Sequence, residues 1–332
     1  MKEHVQMKHR VVSGMRPTGR LHIGHYHGVL ENWIKIQDQF DCFFFVADWH
    51  SLTTEYADTA AIKDNIREMV LDWIAFGLDA EKSIIFRQSL VPHHAELNLI
   101  LSMITPVSWL ERNPTYKELQ DNIEHRDLST FGFLGYPVLM AADIILYKGT
   151  RVPVGHDQLP HLEITREIAR RFNHLYGNVF PEPEALLTET PKLLGLDGRK
   201  MSKSYGNSIF LSDTAEETTK KVLSMMTDPA RVRRTDPGDP DVCVAFNLHR
   251  IYVPQEKLDE IIPACRNATI GCVECKRILA GCMNDRLEPF RAKRVELSAS
   301  PAFVEELLQD GSSRASLISD SVMTEARVAL KI

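Results

Sequence analysis

Short apolar runs alternate with longer amphipathic segments over roughly the first 180 residues of the chain. Residues 42–47 are continuously apolar, as expected of a strand that is buried on both faces. Residues 24–39 carry apolar side chains at the spacing of one helix face. Strands that alternate with helices indicate a parallel sheet covered by helices. The pattern predicts strands at 10–14, 42–47, 83–86 and 150–155, with helices at 24–39, 59–76, 95–105 and 158–171.

The pattern changes in the second half of the chain. An insertion rich in charges and turn residues, at 111–126, precedes the change, and residues 190–206 form a loop with glycines. Beyond that loop the periodicity is mainly helical, at 215–226, 255–262, 273–284 and 303–309. We therefore predict an α/β chain, in which a Rossmann-like parallel sheet with an insertion is followed by a C-terminal α-helical domain.

Composition restricts the class of protein. The 332 residues are 44% hydrophobic and 25% charged, which is ordinary for a globular protein. The apolar runs are too short to cross a bilayer, and the polar N-terminus lacks the apolar core of a signal peptide, so we expect a cytoplasmic chain. A net charge of −6 argues against a basic coat for nucleic acid. Two basic patches fit local RNA contacts or solvated helix faces: Arg231, Arg233 and Arg234, and Lys276, Arg277, Arg286, Arg291, Lys293 and Arg294.

Two histidines flank a glycine where a predicted strand and turn lead into a helix: His22, Gly24 and His25. Backbone amides at a helix N-terminus attract anions, and glycine lets a phosphate approach closely. Lys200 and Lys203 lie in the later loop, where a mobile segment can close its ammonium groups over a bound triphosphate. Either segment alone is more often a pair of surface histidines or a basic loop. Together they predict a site that handles the phosphates of ATP from two sides.

The segments at 22–25 and 200–204 resemble the HIGH and KMSKS motifs of class I aminoacyl-tRNA synthetases. The resemblance implies attack of an amino-acid carboxylate on the α-phosphorus of ATP, followed by transfer of the aminoacyl group to tRNA. The carboxylate is already a nucleophile, so positioning and charge stabilisation should carry the rate. ATP is expected to bring Mg²⁺ on its phosphates. The expected catalytic residues are His22, His25, Lys200 and Lys203.

Three further segments, 13–19, 136–144 and 152–158, narrow the resemblance to tryptophanyl-tRNA synthetases. In that family the acid of the MAAD segment, here Asp143, accepts a hydrogen bond from the indole N–H. A buried carboxylate discriminates strongly because a ligand without the donor leaves it unpaired. Taken alone, Asp143 is as readily interpreted as an acid that caps or pairs on a helix surface.

The resemblance assigns further residues to the two substrates. The residues expected to bind tryptophan are Tyr136, Met140, Asp143, Val152, Val154 and Gln158. The residues expected to bind ATP are Met15, Arg16, Pro17, Thr18, Gly24, His25, Gly155, His156, Asp157, Leu193, Lys200, Met201, Ser202, Lys203 and Ser204. This chain has arginine and histidine where most bacterial members have glutamine and asparagine, at 16 and 25. The role of residue 16 stays open, and both variants are typical of a smaller subgroup.

Five of the six cysteines lie between residues 243 and 282. A disulfide framework is not expected in a cytoplasmic chain, and structural zinc sites usually have two close cysteine pairs, whereas this stretch has one. Four thiolates at uneven spacing fit a [4Fe–4S] cluster better. The subgroup that the chain resembles includes members with such a cluster in the anticodon-binding region. The expected ligands are Cys243, Cys265, Cys272 and Cys275, with Cys282 as a spare and Cys42 as a structural residue.

Two alternatives stay open for these cysteines, zinc and no metal at all. If residues 265–282 formed one continuous helix, their thiols would share a buried face and act as small apolar side chains. Gly271 and the β-branched residues before it argue against an uninterrupted helix.

The resemblance also implies a domain plan and partners. A catalytic domain at 1–195 carries an insertion at about 100–135 in a dimer interface, and a mobile KMSKS loop follows at 196–206. A helical anticodon-binding domain at 207–300 holds the cysteines, and a C-terminal helix at 301–332 packs back on the catalytic domain. The expected partners are L-tryptophan, ATP, tRNA(Trp) and a second copy of the chain, with no membrane.

Three alternative functions compete with this interpretation. A tyrosine enzyme shares the fold and both motifs, but the segments at 13–19 and around Asp143 argue against it. A nucleotidyltransferase that does not use tRNA also carries an HxGH segment, but lacks a KMSKS loop followed by a long helical domain. An RNA-binding or regulatory paralogue without catalysis would not need intact His22, Lys200 and Lys203.

Overall fold

A computed structural model of the chain describes residues 9–112, 129–187 and 193–332. These residues contain one five-stranded parallel sheet. The strands are β1 Arg10–Met15, β2 Asp41–Val46, β3 Ser83–Arg87, β4 Arg151–Val154 and β5 Glu184–Leu187. Their order across the sheet is β3-β2-β1-β4-β5. The chain order therefore reverses at β1, and ligands bind beyond the carboxyl ends of the strands at such a point. The predicted parallel sheet is confirmed.

Helices cover the sheet and form the second half of the chain. In the described residues they are α1 Ile23–His25, α2 Glu31–Ile36, α3 Asp48–Glu55, α4 Ile62–Ala75, α5 His93–Ser102, α6 Val107–Glu111, α7 Phe131–Ile145, α8 Leu159–Tyr176, α9 Ala215–Ser224, α10 Val244–Tyr252, α11 Gln255–Arg266, α12 Cys272–Ser298 and α13 Phe303–Leu330. A π-helical turn, Tyr26–Leu30, joins α1 to α2. The helix predicted at 24–39 is therefore real but irregular.

Strand β2 is buried on both faces, as its continuous apolar run predicts. Phe44 belongs to the hydrophobic core on one side of the sheet, while Phe43 and Phe45 belong to the core on the other side. Successive residues of a strand point to opposite faces, so one apolar run serves both cores. Trp33 of α2 stacks on Phe44 with ring centroids 4.5 Å apart.

Helix α13 packs against the edge strand β3. An added Cβ at Gly311 would lie 1.7 Å from the carbonyl oxygen of Ile85, so only glycine permits this approach. The backbone N–H of Arg87 donates to Ser312 Oγ at 3.3 Å, which satisfies one backbone group of the exposed edge. The first half of α13 is thereby placed against the sheet that forms the site.

A buried ion pair joins the helical region to the sheet domain. Arg294 of α12 donates through Nε to Asp72 Oδ1 of α4 at 2.7 Å, and it also pairs with Glu68. Burial raises the pKa of Asp72 to about 6, although the Arg294 guanidinium acts to lower it. The pair fixes the carboxyl-terminal half of α12 against α4.

Two predicted features fall partly or wholly outside the described residues. Most of the insertion predicted at 111–126, and with it much of the expected dimer interface, belongs to the undescribed residues. Among the helices that are described, none combines the length and the apolar composition needed to span a bilayer.

Candidate active site

The HIGH segment forms a tight turn at the start of α1. His22 has extended backbone angles, and its N–H donates to Nδ1 of His25 at 3.1 Å. The two imidazole rings lie 3.7 Å apart between centroids. An added Cβ at Gly24 would lie 2.9 Å from the His22 ring, so this turn requires glycine. The two histidines are thus held together by local backbone geometry.

Both histidines of this turn are neutral at pH 7. Burial, and then the charge of Lys203, lowers the pKa of His22 to about 4. Burial, His22 and Lys203 together lower the pKa of His25 to about 2. Nδ1 of His22 is buried and has no hydrogen-bond partner among the described residues. A neutral ring can still donate one N–H to a ligand oxygen without carrying a charge.

The KMSKS loop lies against the HIGH turn. Met201 is buried, its N–H donates to the Leu193 carbonyl at 3.1 Å, and its sulfur lies 4.0 Å from the Cβ position of Gly24. Nζ of Lys203 donates to the carbonyl of Gly19 at 3.0 Å. Lys200 is exposed. The structure therefore brings one lysine of the motif to the histidines and leaves the other facing solvent.

Asn207 holds this loop in shape, and it is a residue that the sequence did not reveal. Its Oδ1 accepts the N–H of Ser202 at 2.8 Å, and its Nδ2 donates to Asp197 Oδ1 at 2.7 Å and to the Lys200 carbonyl at 3.3 Å. The hydrogen bond from Asn207, followed by those from Arg199, lowers the pKa of Asp197 to about 2. In the sequence, an asparagine after a glycine is typical of an ordinary turn, so the pattern does not indicate a role for Asn207.

The remaining predicted ATP residues follow two adjacent strands, β1 and β4. Arg16 comes directly after β1, is exposed, and places Nη1 3.4 Å from Thr54 Oγ1. Gly155 comes directly after β4, where an added Cβ would lie 2.7 Å from Asp157 Oδ1. Gln158 donates to Asp157 Oδ2 at 3.0 Å. Because β1 and β4 are neighbouring parallel strands, these residues lie beyond the same carboxyl-terminal end of the sheet.

Asp143 of α7 is the most fully enclosed charged group of the site. It is 2% exposed, and its carboxylate accepts hydrogen bonds from Gln88 at 2.8 and 3.0 Å, His94 at 2.6 Å and His50 at 2.9 Å. Burial acts to raise the pKa of Asp143, but the charges and hydrogen bonds of His94 and His50 outweigh it and lower that pKa. The interpretation of Asp143 as a surface acid is wrong.

The three donors to Asp143 were missed in the sequence. His50 lies in the helix that follows β2, Gln88 begins the turn that follows β3, and His94 lies in the next helix. Polar side chains just beyond the carboxyl ends of parallel strands were the available signal, since ligands bind there. Their convergence on one carboxylate depends on packing between separate elements.

The other residues predicted to bind tryptophan lie on α7, on β4 and in the turn that follows β4. Tyr136 of α7 hydrogen-bonds through its hydroxyl to Nε2 of His161. Val152 and Val154 of β4 are buried, and Met140 of α7 is half-buried. An apolar cavity of about 440 Å³ between α3, α5, α6 and α7 also includes Tyr136 in its lining. Of the residues predicted to bind tryptophan, only Tyr136 lines that cavity, so the cavity is not the predicted tryptophan pocket.

Comparison with known proteins supports the same family from sequence and from structure. The family described as class I tRNA synthetases (W and Y) matches residues 4–288. A tryptophan–tRNA ligase of Thermotoga maritima is 51% identical, over 97% of this chain and 99% of that protein. One of Aquifex aeolicus is 47% identical, over 97% and 100%. The solved tryptophanyl-tRNA synthetase of Campylobacter jejuni, complexed with ADP and tryptophan, has a TM-score of 0.89 at 32% identity, over 97% and 100%.

The chain belongs to the class I tryptophanyl-tRNA synthetases. This membership accounts for the parallel sheet and for the meeting of HIGH and KMSKS at its carboxyl edge. It also makes the tyrosine and nucleotidyltransferase interpretations the weaker ones, because the relatives that cover almost the whole chain are tryptophan–tRNA ligases.

Four cysteines meet in the helical part of this family member. Cys243 precedes α10, Cys265 lies in the last turn of α11, and Cys272 and Cys275 lie in the first turn of α12. Burial, and then the other three thiols, raises the pKa of Cys275 to about 12. The continuous helix considered for these residues is wrong, because the chain turns between α11 and α12 with a positive φ of 56° at Ala268.

Polar neighbours approach two of these thiols. Sγ of Cys275 lies 3.3 Å from Nε2 of His249, and Nη1 of Arg231 donates to Sγ of Cys265 at 3.8 Å. In the part of the chain that the structure describes, no three His, Cys, Asp or Glu side chains converge closely enough to hold a single ion.

Proposed function

We propose that this chain is a tryptophan–tRNA ligase whose activity centres on Asp143. A carboxylate oxygen of L-tryptophan attacks the α-phosphorus of ATP, the bond to pyrophosphate breaks, and tryptophanyl-adenylate forms. The terminal ribose hydroxyl of tRNA(Trp) then attacks the carbonyl carbon and AMP leaves. The buried, ionised Asp143 beside the carboxyl end of the sheet is the observation that carries the choice of tryptophan.

The phosphates of ATP would be handled by HIGH and KMSKS together. His22 and His25 are neutral donors, and Lys203 supplies a cation on the same side. Lys200 is exposed and would reach the triphosphate when the loop closes. Donors that are already in place when charge develops stabilise the transition state more than donors that must reorganise. Mg²⁺ would arrive with ATP, coordinated mainly by its phosphates.

The adenosine and the amino acid would both bind beyond the carboxyl ends of β1 and β4. The nucleotide is assigned to the residues after those strands and to the loop, namely Met15, Arg16, Pro17, Thr18, Gly24, Gly155, His156, Asp157, Leu193, Met201, Ser202 and Ser204. The indole ring would lie between Met140, Val152 and Val154, with Asp143 accepting its N–H. Tyr136 and Gln158 are assigned to the ammonium and carboxylate groups of tryptophan.

ATP–pyrophosphate exchange with single amino acids tests this function. We expect exchange with tryptophan, and charging of tRNA(Trp) transcript in the full reaction. Tyrosine should support neither. Exchange driven by tyrosine alone would overturn the assignment, and pyrophosphate exchange without tRNA charging would favour a paralogue that has lost aminoacylation.

We further propose that Cys243, Cys265, Cys272 and Cys275 hold a [4Fe–4S] cluster. The donor set fits, because Cys243, Cys265 and Cys272 all lie close enough to Cys275 to raise its pKa, and four thiolates at uneven spacing suit such a cluster. When bound, such a cluster supplies four iron–thiolate bonds, and these residues would tie α10, α11 and α12 together. Zinc, or no metal, would leave the purified chain free of iron. Iron and zinc quantification after anaerobic purification, with a visible absorption spectrum, decides between the three.

The remaining organisation is proposed by the same resemblance. The catalytic unit would span 1–195, the KMSKS loop 196–206, the anticodon-binding unit 207–300, and the C-terminal helix 301–332. A homodimer would form through residues 100–135, and the protein would act in the cytoplasm. Light scattering on the purified protein tests the dimer. A mass of 37.8 kDa would contradict it, because that is the mass of one chain.

A further inference from the structure

A buried chain of hydrogen bonds leads from Tyr147 through His94 to Asp143. The hydroxyl of Tyr147 lies 2.7 Å from Nε2 of His94, and Nδ1 of His94 lies 2.6 Å from Oδ1 of Asp143. Tyr147 and His94 are both 0% exposed, and Asp143 is 2% exposed. Water cannot replace any of these bonds without opening the core, so the geometry of the three side chains is mutually determined.

The contacts determine which nitrogen of His94 donates to Asp143. Burial, and then Asp143, raises the pKa of Tyr147 well above its ordinary value, so its hydroxyl keeps its hydrogen. Nδ1 of His94 carries a hydrogen and donates it to Asp143. The reverse tautomer would place a nitrogen lone pair against a carboxylate oxygen at 2.6 Å.

Gln88 fixes the same carboxylate from a second direction. Its Oε1 accepts the backbone N–H of Trp49 at 3.1 Å, which orients Nε2 toward both oxygens of Asp143. His50 is different, because its side chain is 12% exposed, whereas that of His94 is 0% exposed. Gln88, His94 and Tyr147 are therefore buried and hold the carboxylate in place, whereas His50 is the donor nearest to solvent.

Apolar rings isolate His94 from other charges. The ring centroids of Phe45 of β2 and Phe86 of β3 each lie 5.9 Å from the ring centroid of His94. The titratable groups that face His94 are Asp143 and Tyr147. In such surroundings a hydrogen bond is electrostatically stronger than in water, and a missing one is costly.

We propose that His94, oriented by Tyr147, is a positioning residue that keeps Asp143 aimed as a hydrogen-bond acceptor, so that selection of a ring bearing an N–H depends on all three side chains. This assignment rests on the proposed tryptophan activity. His94 and Tyr147 do not touch the substrate. They act by preventing Asp143 from rotating and by supplying the donor that an ionised, buried carboxylate needs.

Two substrates that differ in one group separate this role from a general loss of structure. ATP–pyrophosphate exchange is measured with tryptophan and with β-(3-benzothienyl)alanine, in which sulfur replaces the indole N–H. The selectivity is the ratio of kcat/KM for the two. A variant that merely loosens the pocket lowers both values together, whereas a variant that misaims Asp143 lowers the value for tryptophan only.

Four variants test the proposal through their selectivity. Tyr147→Phe removes one hydroxyl and should lower the selectivity about threefold to tenfold, and His94→Leu should lower it more than tenfold. His94→Asn keeps a donor near Nδ1 and should recover part of the loss. The matched control is His93→Asn, because the neighbouring His93 instead bonds Ser319 at 2.9 Å on α13. Its selectivity should equal that of the wild type.

The outcomes distinguish this inference from the proposed function. Wild-type protein without tryptophan-dependent exchange contradicts the function itself. Wild-type exchange with an unchanged selectivity in Tyr147→Phe and His94→Leu overturns the inference alone. Equal losses for both substrates also overturn it, since they indicate a structural role. If His94→Leu does not fold, the single-hydroxyl variant Tyr147→Phe still decides the question.

Discussion

Lys203 donates a hydrogen bond from Nζ to the carbonyl of Gly19, 3.0 Å away, and so joins two motifs that are 184 residues apart in the chain. Burial, and then the nearby Arg16, lowers the pKa of Lys203 to about 8, although Asp72 acts to raise it. The ammonium charge in the free protein is therefore present below about pH 8 and is lost as the pH rises through 8.

This shift predicts an alkaline limit on the capture of ATP. We expect kcat/KM for ATP to fall above about pH 8 in the wild type, because the deprotonated lysine no longer attracts the triphosphate. Lys203→Arg should remove this limb, since arginine stays charged, while lowering the plateau about tenfold through altered geometry. The pH profile of exchange at limiting ATP measures both. An identical alkaline limb in the arginine variant would rule out Lys203 as its source.

Asn207 predicts a variant that damages catalysis more than folding. Asn207→Ala removes the bonds to Ser202, Lys200 and Asp197, so the loop should lose its defined conformation and kcat for exchange should fall about 10- to 100-fold. Asn173→Ala is the matched control, because Asn173 pins a different loop through the N–H and carbonyl of Phe180. Equal kcat values for the two variants would contradict a specific role for Asn207.

The hydrogen-bond donors around Asp143 predict how the acid limb of the pH profile of kcat/KM for tryptophan shifts when one donor is removed. Burial acts to raise the pKa of Asp143, and His94 and His50 lower it below the ordinary value, so the carboxylate is lost only as the pH falls through that lowered pKa. Removing one of the two histidines leaves burial less opposed. In His94→Leu the acid limb of kcat/KM for tryptophan should therefore shift to higher pH. The same limb in His93→Asn should not move.

The cysteines allow a test that compares two thiols of one helix. Cys243, Cys265 and Cys272 are close enough to Cys275 to raise its pKa, whereas Cys282 lies further along α12. Cys275→Ser should abolish the iron content, and Cys282→Ser should leave it unchanged. Iron per chain and the thermal midpoint are measured for each. Iron retained at wild-type level in Cys275→Ser would contradict the proposed ligand set.

The approach of α13 to the sheet predicts a stability difference between two glycines. Gly311→Ala would place a methyl group 1.7 Å from the Ile85 carbonyl and should lower the free energy of unfolding by about 3 kcal/mol. Gly281→Ala in α12 meets nothing within 4 Å and should raise it by about 0.5–1 kcal/mol. Urea unfolding of both variants is the measurement. A neutral Gly311→Ala would mean that α13 does not pack as described.

Local pattern predicted the sheet because its strands are continuous apolar runs that end in turn residues. Strand β5, Glu184–Leu187, was not predicted, because four residues at a sheet edge carry little periodicity. Helix α3 was missed as well, since its sequence is largely polar and its first turn is held by Asp48, which accepts the N–H of Ser89 at 3.1 Å. Both elements depend on contacts with distant residues.

The site was predictable only where a motif carries chemistry in adjacent positions. HIGH, KMSKS and the segment around Asp143 each occupy a few consecutive residues. Gln88, His94 and Asn207 act through partners that are 55, 49 and up to 10 residues away, so no short pattern contains them. Their roles arise from the packing of α5 and α7 and from the hydrogen bonds that hold one loop in shape.

The most direct test of the central claim is ATP–pyrophosphate exchange by the wild type and by Asp143→Asn, each supplied with tryptophan or with tyrosine. We predict strong exchange with tryptophan for the wild type, none with tyrosine, and a loss of about 100-fold or more with tryptophan in Asp143→Asn. Exchange with tyrosine by the wild type, or an Asp143→Asn variant as active with tryptophan as the wild type, would contradict the account.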